Sequence, residues 1–174
     1  MILESKNIRL RALEPADLNL LFLWENDRNN WRISNTIQPY SRTALTQYIE
    51  SIGDIYSDRQ LRLIIENKET EKALGAVDLF DCDFKNKRAG IGILIADDKN
   101  RGKGVGSECL KIMIEYVFET LTLHQLYCNV LMDNPESLAL FEKFGFKKAG
   151  IKKDWIYHEG NYVDECTMQL IQES

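Results

Sequence analysis

Apolar and polar residues alternate along "NIRLRAL" (7–13), the period-two signature of a strand with one buried face. The next segment, "EPADLNLLFLWEND" (14–27), changes period. Pro15 stands near its start, an acid follows within the first turn, and a broad apolar face comes after, which predicts a helix. A second helix is expected from Ser41, a good N-cap, through Leu45, Tyr48, Ile49 and Ile52. Three strand-like runs come next, "QLRLIIEN" (60–67), "KALGAVDLFD" (72–81) and "RAGIGILIA" (88–96), the first two joined by a hairpin-like polar link. Behind "KNRGKGVGSECL" (99–110), Val105, Cys109, Ile112, Met113, Tyr116 and Val117 mark one face of a long helix. "HQLYCNVLM" (124–132) reads as a strand. "DNPESLALFEKFGF" (133–146) reads as a short helix, with Asn134 as N-cap, Pro135 at the first helical position and Gly145 at the stop. The remaining residues form two strands around the turn "EGN". The order is β-α-α-β-β-β-α-β-α-β-β, a mixed α/β fold. No repeat, linker or low-complexity stretch divides it, so residues 1–174 are expected to form a single domain.

Composition narrows the class. The chain is 44% hydrophobic and 28% charged, as expected of a soluble domain with a real core. The first residues carry no apolar signal region and no apolar run reaches membrane-spanning length, so no membrane association is expected. Cys82, Cys109, Cys128 and Cys166 are scattered without a C-x-x-C pair and read as reduced core residues of a cytoplasmic protein. A net charge of −5 argues against a nucleic-acid partner and is compatible with a cationic substrate. His124 and His158 show no ligand spacing, and no metal is expected. The oligomeric state is open, and a homo-oligomer is compatible with the sequence.

The glycines of residues 102–106 lie between an apolar strand and an amphipathic helix. Glycine lets the backbone approach a ligand closely, and the free N–H groups of a helix start point at an anion. A Walker A loop fails, because Lys103 is followed by Gly104 and no Ser or Thr takes the Mg²⁺ role. A dinucleotide fingerprint fails as well: position 107 is Ser, and the following strand carries no acid around Leu126 to Asn129. Arg101-x-x-Gly104-x-Gly106 does match the R/Q-x-x-G-x-G/A signature of the GNAT superfamily of N-acetyltransferases. "VLMDNPESLALFEKFGFKKAGI" (130–151) resembles that superfamily's N-x-x-[SA]-x-x-[LF]-Y-x-K-x-G-F segment at the expected distance. The opening "IRLRALEPADLNLL" and the closing hairpin resemble the branch that holds ribosomal-protein N-terminal and bacterial spermidine acetyltransferases. The resemblance spans essentially the whole chain.

It implies a central, mostly antiparallel twisted sheet flanked by helices, with acetyl-CoA as cosubstrate. Backbone groups of Ile93, Leu94 and Ile95 would then face the pantetheine, one N–H polarising the thioester carbonyl, while Arg101, Gly102, Lys103, Gly104, Val105 and Gly106 would cradle the pyrophosphate. Acyl transfer to an amine requires a neutral amine held in line, a stabilised oxyanion, an acceptor for the amine proton and a proton for the departing thiolate. Asn134 matches the family's pantetheine-facing asparagine and is equally a helix cap. Ser137 matches the serine near the thiol sulfur, and is the catalytic candidate beside its local role in the first helical turn. Phe141 occupies the cofactor-facing position where many members carry an acidic tyrosine, and phenylalanine has no proton to give. Gly90 stands where relatives often carry a glutamate base, which leaves Asp78, Glu25 and Asp164 as alternatives. Trp24, Trp31 and Trp155 read as core residues that could also line a cleft. The expected activity is acetyl transfer from acetyl-CoA to a primary amine, a small cationic amine such as a polyamine being favoured over a protein N-terminus. Acids on the first helix and closing hairpin, Glu25 and Asp164 among them, are the substrate candidates. The loss of both the tyrosine and the glutamate motivates one alternative, a non-catalytic acyl-CoA-binding regulatory module.

Overall fold

The computed structural model describes residues 3–96 and 98–173. Seven strands, β1 (Ile8–Ala12), β2 (Leu61–Asn67), β3 (Ala73–Asp83), β4 (Arg88–Ile95), β5 (Gln125–Leu131), β6 (Lys147–His158) and β7 (Asn161–Ile171), form one sheet. Their order is β1-β2-β3-β4-β5-β7-β6. Six helices accompany them: α1 (Leu18–Glu25), α2 (Arg28–Ser34), α3 (Arg42–Ser51), α4 (Ile55–Asp58), α5 (Val105–Glu115) and α6 (Pro135–Lys143). Every neighbouring pair of strands is antiparallel except β4 and β5. Those two run parallel and stay together only from Arg88–Gly90 against Gln125–Tyr127. β4 then continues to Ile95 along β3, while β5 continues to Leu131 along β7, so a gap opens inside the sheet.

Strand alternation explains how the sheet is covered. Leu63, Ile65, Val77, Leu79 and Ile91 point to one face, where they meet Leu110, Met113 and Val117 of the α5 region and Phe141 of α6. Leu21, Leu45 and Ile49 of α1 and α3 form a second, smaller cluster. All four cysteines are buried and free. The mixed α/β class agrees with the sequence pattern, and the mostly antiparallel sheet with what the family resemblance implies. The predicted helix over residues 14–27 is broken instead into a 3₁₀ turn (Pro15–Asp17) and α1, after which α2 starts afresh. Asn26 causes the break: its side chain holds Phe22 O at 2.9 Å and Tyr40 O at 3.0 Å, while Asp27 caps α2 through Asn29 N–H. α2 and α4 have little apolar periodicity to announce them, and the last turn of the long helix is π-helical over Tyr116–Thr120.

Paired charges tie the N-terminal turn to the sheet. Arg11 donates to both oxygens of Asp17 at 2.8 and 2.9 Å and, through Nε, to Glu66 at 2.6 Å. Arg9 Nε completes the set on Glu66 at 2.6 Å. The Arg11 hydrogen bonds hold the Asp17 carboxyl below its ordinary range despite burial. For Glu66, burial pushes upward, and hydrogen bonds from Arg11 and Arg9 outweigh it, so its carboxyl also lies low. Carboxyls with depressed folded-state pKa values stabilise the fold above their unfolded values, near pH 4, and that contribution disappears as pH falls through the folded values. Glu66→Gln is therefore expected to lower the unfolding free energy at pH 7 by about 2 kcal/mol, the scale of hydrogen bonds to charged groups. It should also flatten the acid limb of stability below about pH 4, as read from denaturant unfolding across pH.

Candidate active site

The gap between β4 and β5 is built by backbone geometry. Ala96 N–H donates to Leu74 O, so alternation turns the backbone groups of Leu94 toward β3. Those of Ile91, Ile93 and Ile95 face the other way, and beyond the last β5 pairing, Gly90 with Tyr127, the backbone groups of Ile93 and Ile95 point into the gap. Of the three residues expected to meet the pantetheine, Ile93 thus presents its backbone and Ile95 its N–H there, the Ile95 carbonyl being taken by Arg101, and Leu94 does not.

The glycine loop begins where β4 ends. Gly102 and Gly104 have φ of +72° and +86°, conformations that side-chain-bearing residues adopt at a cost, and a Cβ on either would meet nothing within 4 Å. The space above the loop is open, and the first N–H groups of α5 lie beside it, with Gly104 as N-cap. Arg101 holds the loop to the strand through hydrogen bonds to Ile95 O at 3.3 and 3.4 Å. Lys103 is exposed and Val105 half-buried on the loop. Gly106 lets α5 approach α6, since a Cβ there would stand 3.3 Å from Leu140. An open cradle of glycines continuous with unpaired strand backbone fits an extended pantetheine-pyrophosphate group.

On the other side of the gap, Asn134 Oδ1 accepts the Ser137 N–H at 3.2 Å, so the capping role is real and the amide nitrogen of Asn134 is left over. Asn134, Ser137 and Phe141 all line a narrow cavity of about 90 Å³ within the gap. The Ser137 hydroxyl has no hydrogen-bond partner among the described residues. Phe141 is buried and packs edge-on to Phe146, with centroids 5.0 Å apart. At Gly90 a Cβ would lie 2.2 Å from the ring of Phe80, which also meets Tyr127 edge-on. An aromatic ring thus fills the space that a side chain at position 90 would need.

The alternative carboxylates are already engaged. Arg62 takes Glu25 at 2.5 Å and Asp78 at 2.6 Å, beneath Tyr48. Burial raises the Tyr48 hydroxyl pKa, partly opposed by the Arg62 charge. Asp78 lies opposite Gly92 of β4, beside the gap floor. Asp164 sits on the outer hairpin, where it accepts Lys153 Nζ at 2.7 Å and Asp154 N–H at 2.9 Å. It thereby staples the irregularity of β6 between Lys152 and Ile156. The acid of β7 that lines the cavity is the next residue, Glu165, paired with Lys152 at 2.5 Å. Glu25 and Asp164 are therefore held in separate ion pairs, and neither lines the cavity. A broader groove of about 680 Å³ adjoins the cavity, between α2 with the residues after it and the end of β6. Trp31 lines this groove and donates to Glu25 O at 2.9 Å. Trp155, by contrast with the expected core role, is half exposed beneath Lys152. Sequence reasoning missed Arg62, although an arginine inside the otherwise apolar "LRLIIEN" was a visible sign of a buried partner. It also missed the Arg32–Asp133 ion pair, which joins α2 to the turn before α6 and had no local signal. Among the described residues, no group of three or more His, Cys, Asp or Glu could hold a metal ion.

Fold and site together define an acyl-CoA-dependent transferase scaffold: a glycine cradle feeding a split sheet. Residues 7–147 match the acetyltransferase (GNAT) domain family, and the chain belongs to it. Its relatives include the spermidine N(1)-acetyltransferase of Vibrio cholerae, 25% identical over 173 residues that cover 97% of this chain and 95% of that protein. The N-acetyltransferase 9-like protein of Caenorhabditis briggsae is 36% identical over 146 residues, covering 78% of this chain and 72% of that one. The crystal structure of the V. cholerae spermidine enzyme with CoA and spermine superposes with a TM-score of 0.87 at 26% identity, over 97% of both chains. The chain is an N-acetyltransferase that moves an acetyl group to an amine. The non-catalytic module is accordingly set aside.

A bulky branched residue at Gly104 would both strain φ and fill the open cradle. Gly104→Val is expected to abolish coenzyme A binding, measured by calorimetric titration, with the far-ultraviolet circular dichroism of the fold retained.

Proposed function

We propose that this N-acetyltransferase takes its acetyl group from acetyl-CoA and passes it to a primary amine of a polyamine. The observation that carries the reading is the free backbone of Ile93 and the N–H of Ile95, leading from the open glycine cradle to the cavity of Ser137. When bound, acetyl-CoA supplies the activated thioester. The residues Arg101 to Gly106 hold its pyrophosphate, Ile93 and Ile95 align the pantetheine, and Asn134 offers its free amide nitrogen. The Ile93 N–H polarises the thioester carbonyl. Ser137 Oγ passes a proton to the departing thiolate and takes one back from the water that receives the amine proton, a relay that Phe141 cannot provide. Glu25 and Asp78 are both held by Arg62, so the amine proton leaves to water through the adjoining groove.

Three observations support a polyamine acceptor. Spermidine acetyltransferases from V. cholerae and Escherichia coli match over nearly the whole chain. Glu165 lines the cavity and Asp133 stands in the turn before α6. The net charge of −5 attracts cations. We also infer self-association in the cytoplasm: a dodecameric form is described for the V. cholerae enzyme, and the outer β6–β7 hairpin here exposes Ile151, Trp155, Tyr157 and Tyr162.

Thiol release across polyamines, amino acids, aminoglycosides and peptide N-termini tests the acceptor. Spermidine should turn over, with a KM that rises with salt as charge attraction is screened. Robust acetylation of peptide N-termini with polyamines inert at millimolar concentration would overturn the reading. Ser137→Ala should lower kcat at least about tenfold without changing coenzyme A affinity, as expected for loss of a general acid. Phe141→Tyr should retain or raise turnover in the same assay.

A further inference from the structure

Arg32, Asn35 and Ile156 line both the narrow cavity and the broad groove, which places them at the junction between the two. Across this junction the Arg32 guanidinium forms an ion pair with Asp133, the residue directly before the α6 cap. The two side chains keep 27% and 45% of their exposure, so water and small cations reach the pair. Arg32 is also incompletely satisfied: its Nε is buried with no hydrogen-bond partner. Buried donors in a settled ion pair normally find one. Arg62 offers the contrast, with its nitrogens distributed over two carboxylates. The other charged groups facing the groove are Arg28, His158 and Glu159.

We propose that Arg32 is a specificity-determining residue, an internal cation that holds Asp133 until an acceptor's ammonium replaces it. The inference rests on the polyamine reading. A polyamine carries a second ammonium that takes over Asp133 while its reacting amine lies in the cavity beside Ser137. A monoamine has no such group, and it meets the junction with the guanidinium still in place. Acceptor selection is thus an exchange of one ion pair for another. A half-exposed pair is weak, worth a factor of about 1.4 to 5 in binding, which is low enough for exchange.

Steady-state kinetics on the full chain with spermidine and with a monoamine such as butylamine test this. Arg32→Gln removes the competing cation and should lower the spermidine KM by about threefold to fivefold with kcat unchanged. The butylamine KM should stay where it is. Arg32→Lys restores a cation and should return the spermidine KM toward the starting value. In an Asp133→Asn background, Arg32→Gln should no longer change it. Calorimetric titration of spermidine into the coenzyme A complex should read the same gain without turnover. A raised KM in Arg32→Gln would mean that the arginine receives an acidic group of the acceptor, and would overturn the proposal. So would an equal fall for butylamine, or a fall that persists in the Asp133→Asn background. Wild-type turnover of polyamines with KM unmoved by Arg32→Gln defeats this inference alone. The absence of any polyamine turnover by the wild type defeats the polyamine reading and the inference together.

Discussion

Parallel pairing between β4 and β5 holds for three residues and then stops. Almost everything functional follows from that. Strand backbone without a partner is costly when buried, because each N–H and C=O needs a hydrogen bond. Here the edge of β4 from Ile93 to Ile95 is kept available by committing the outer flank of each strand elsewhere, β4 to β3 and β5 to β7. The large core under α5 and α6 supplies the rigidity that lets two strands diverge without collapsing. The same divergence brings the start of α5 and the start of α6 to opposite sides of one gap. The glycine loop and Ser137 thereby border one gap although they stand 31 positions apart, Gly106 to Ser137.

Charge is handled along the second face of the sheet in the same economical way. Arg9, Arg11, Arg62 and Arg32 each meet carboxylates, and most acids near the gap already have a basic partner. This pairing keeps neighbouring carboxylates from repelling one another. It also explains why counting acids in the sequence overstates how many are available to substrate.

The glycine loop, the Asn134 cap and the succession of strands along the chain were readable from local chemistry, because periodicity, turn residues and caps act within a few positions. Most of the sheet and the side of the gap formed by α6 followed from that. Long-range pairing was not readable. Asp164 and Glu165 are adjacent, and only the β6 irregularity decides which one faces the cavity and which one mends the strand. The break at Asn26 depends on Tyr40, fourteen residues away, and the Arg32–Asp133 pair spans 101 residues. No window along the chain contains those relationships.

Phe80 lying over Gly90 has an implication for how this site can change over time. A glutamate introduced at position 90 alone collides with the ring, and shrinking the ring alone leaves a void beside Tyr127. Each single step is disfavoured, while the two together are sterically compatible. The two positions therefore behave as one heritable unit. A lineage that has traded a carboxylate for a ring at this spot is held there by packing, whatever the chemistry would prefer.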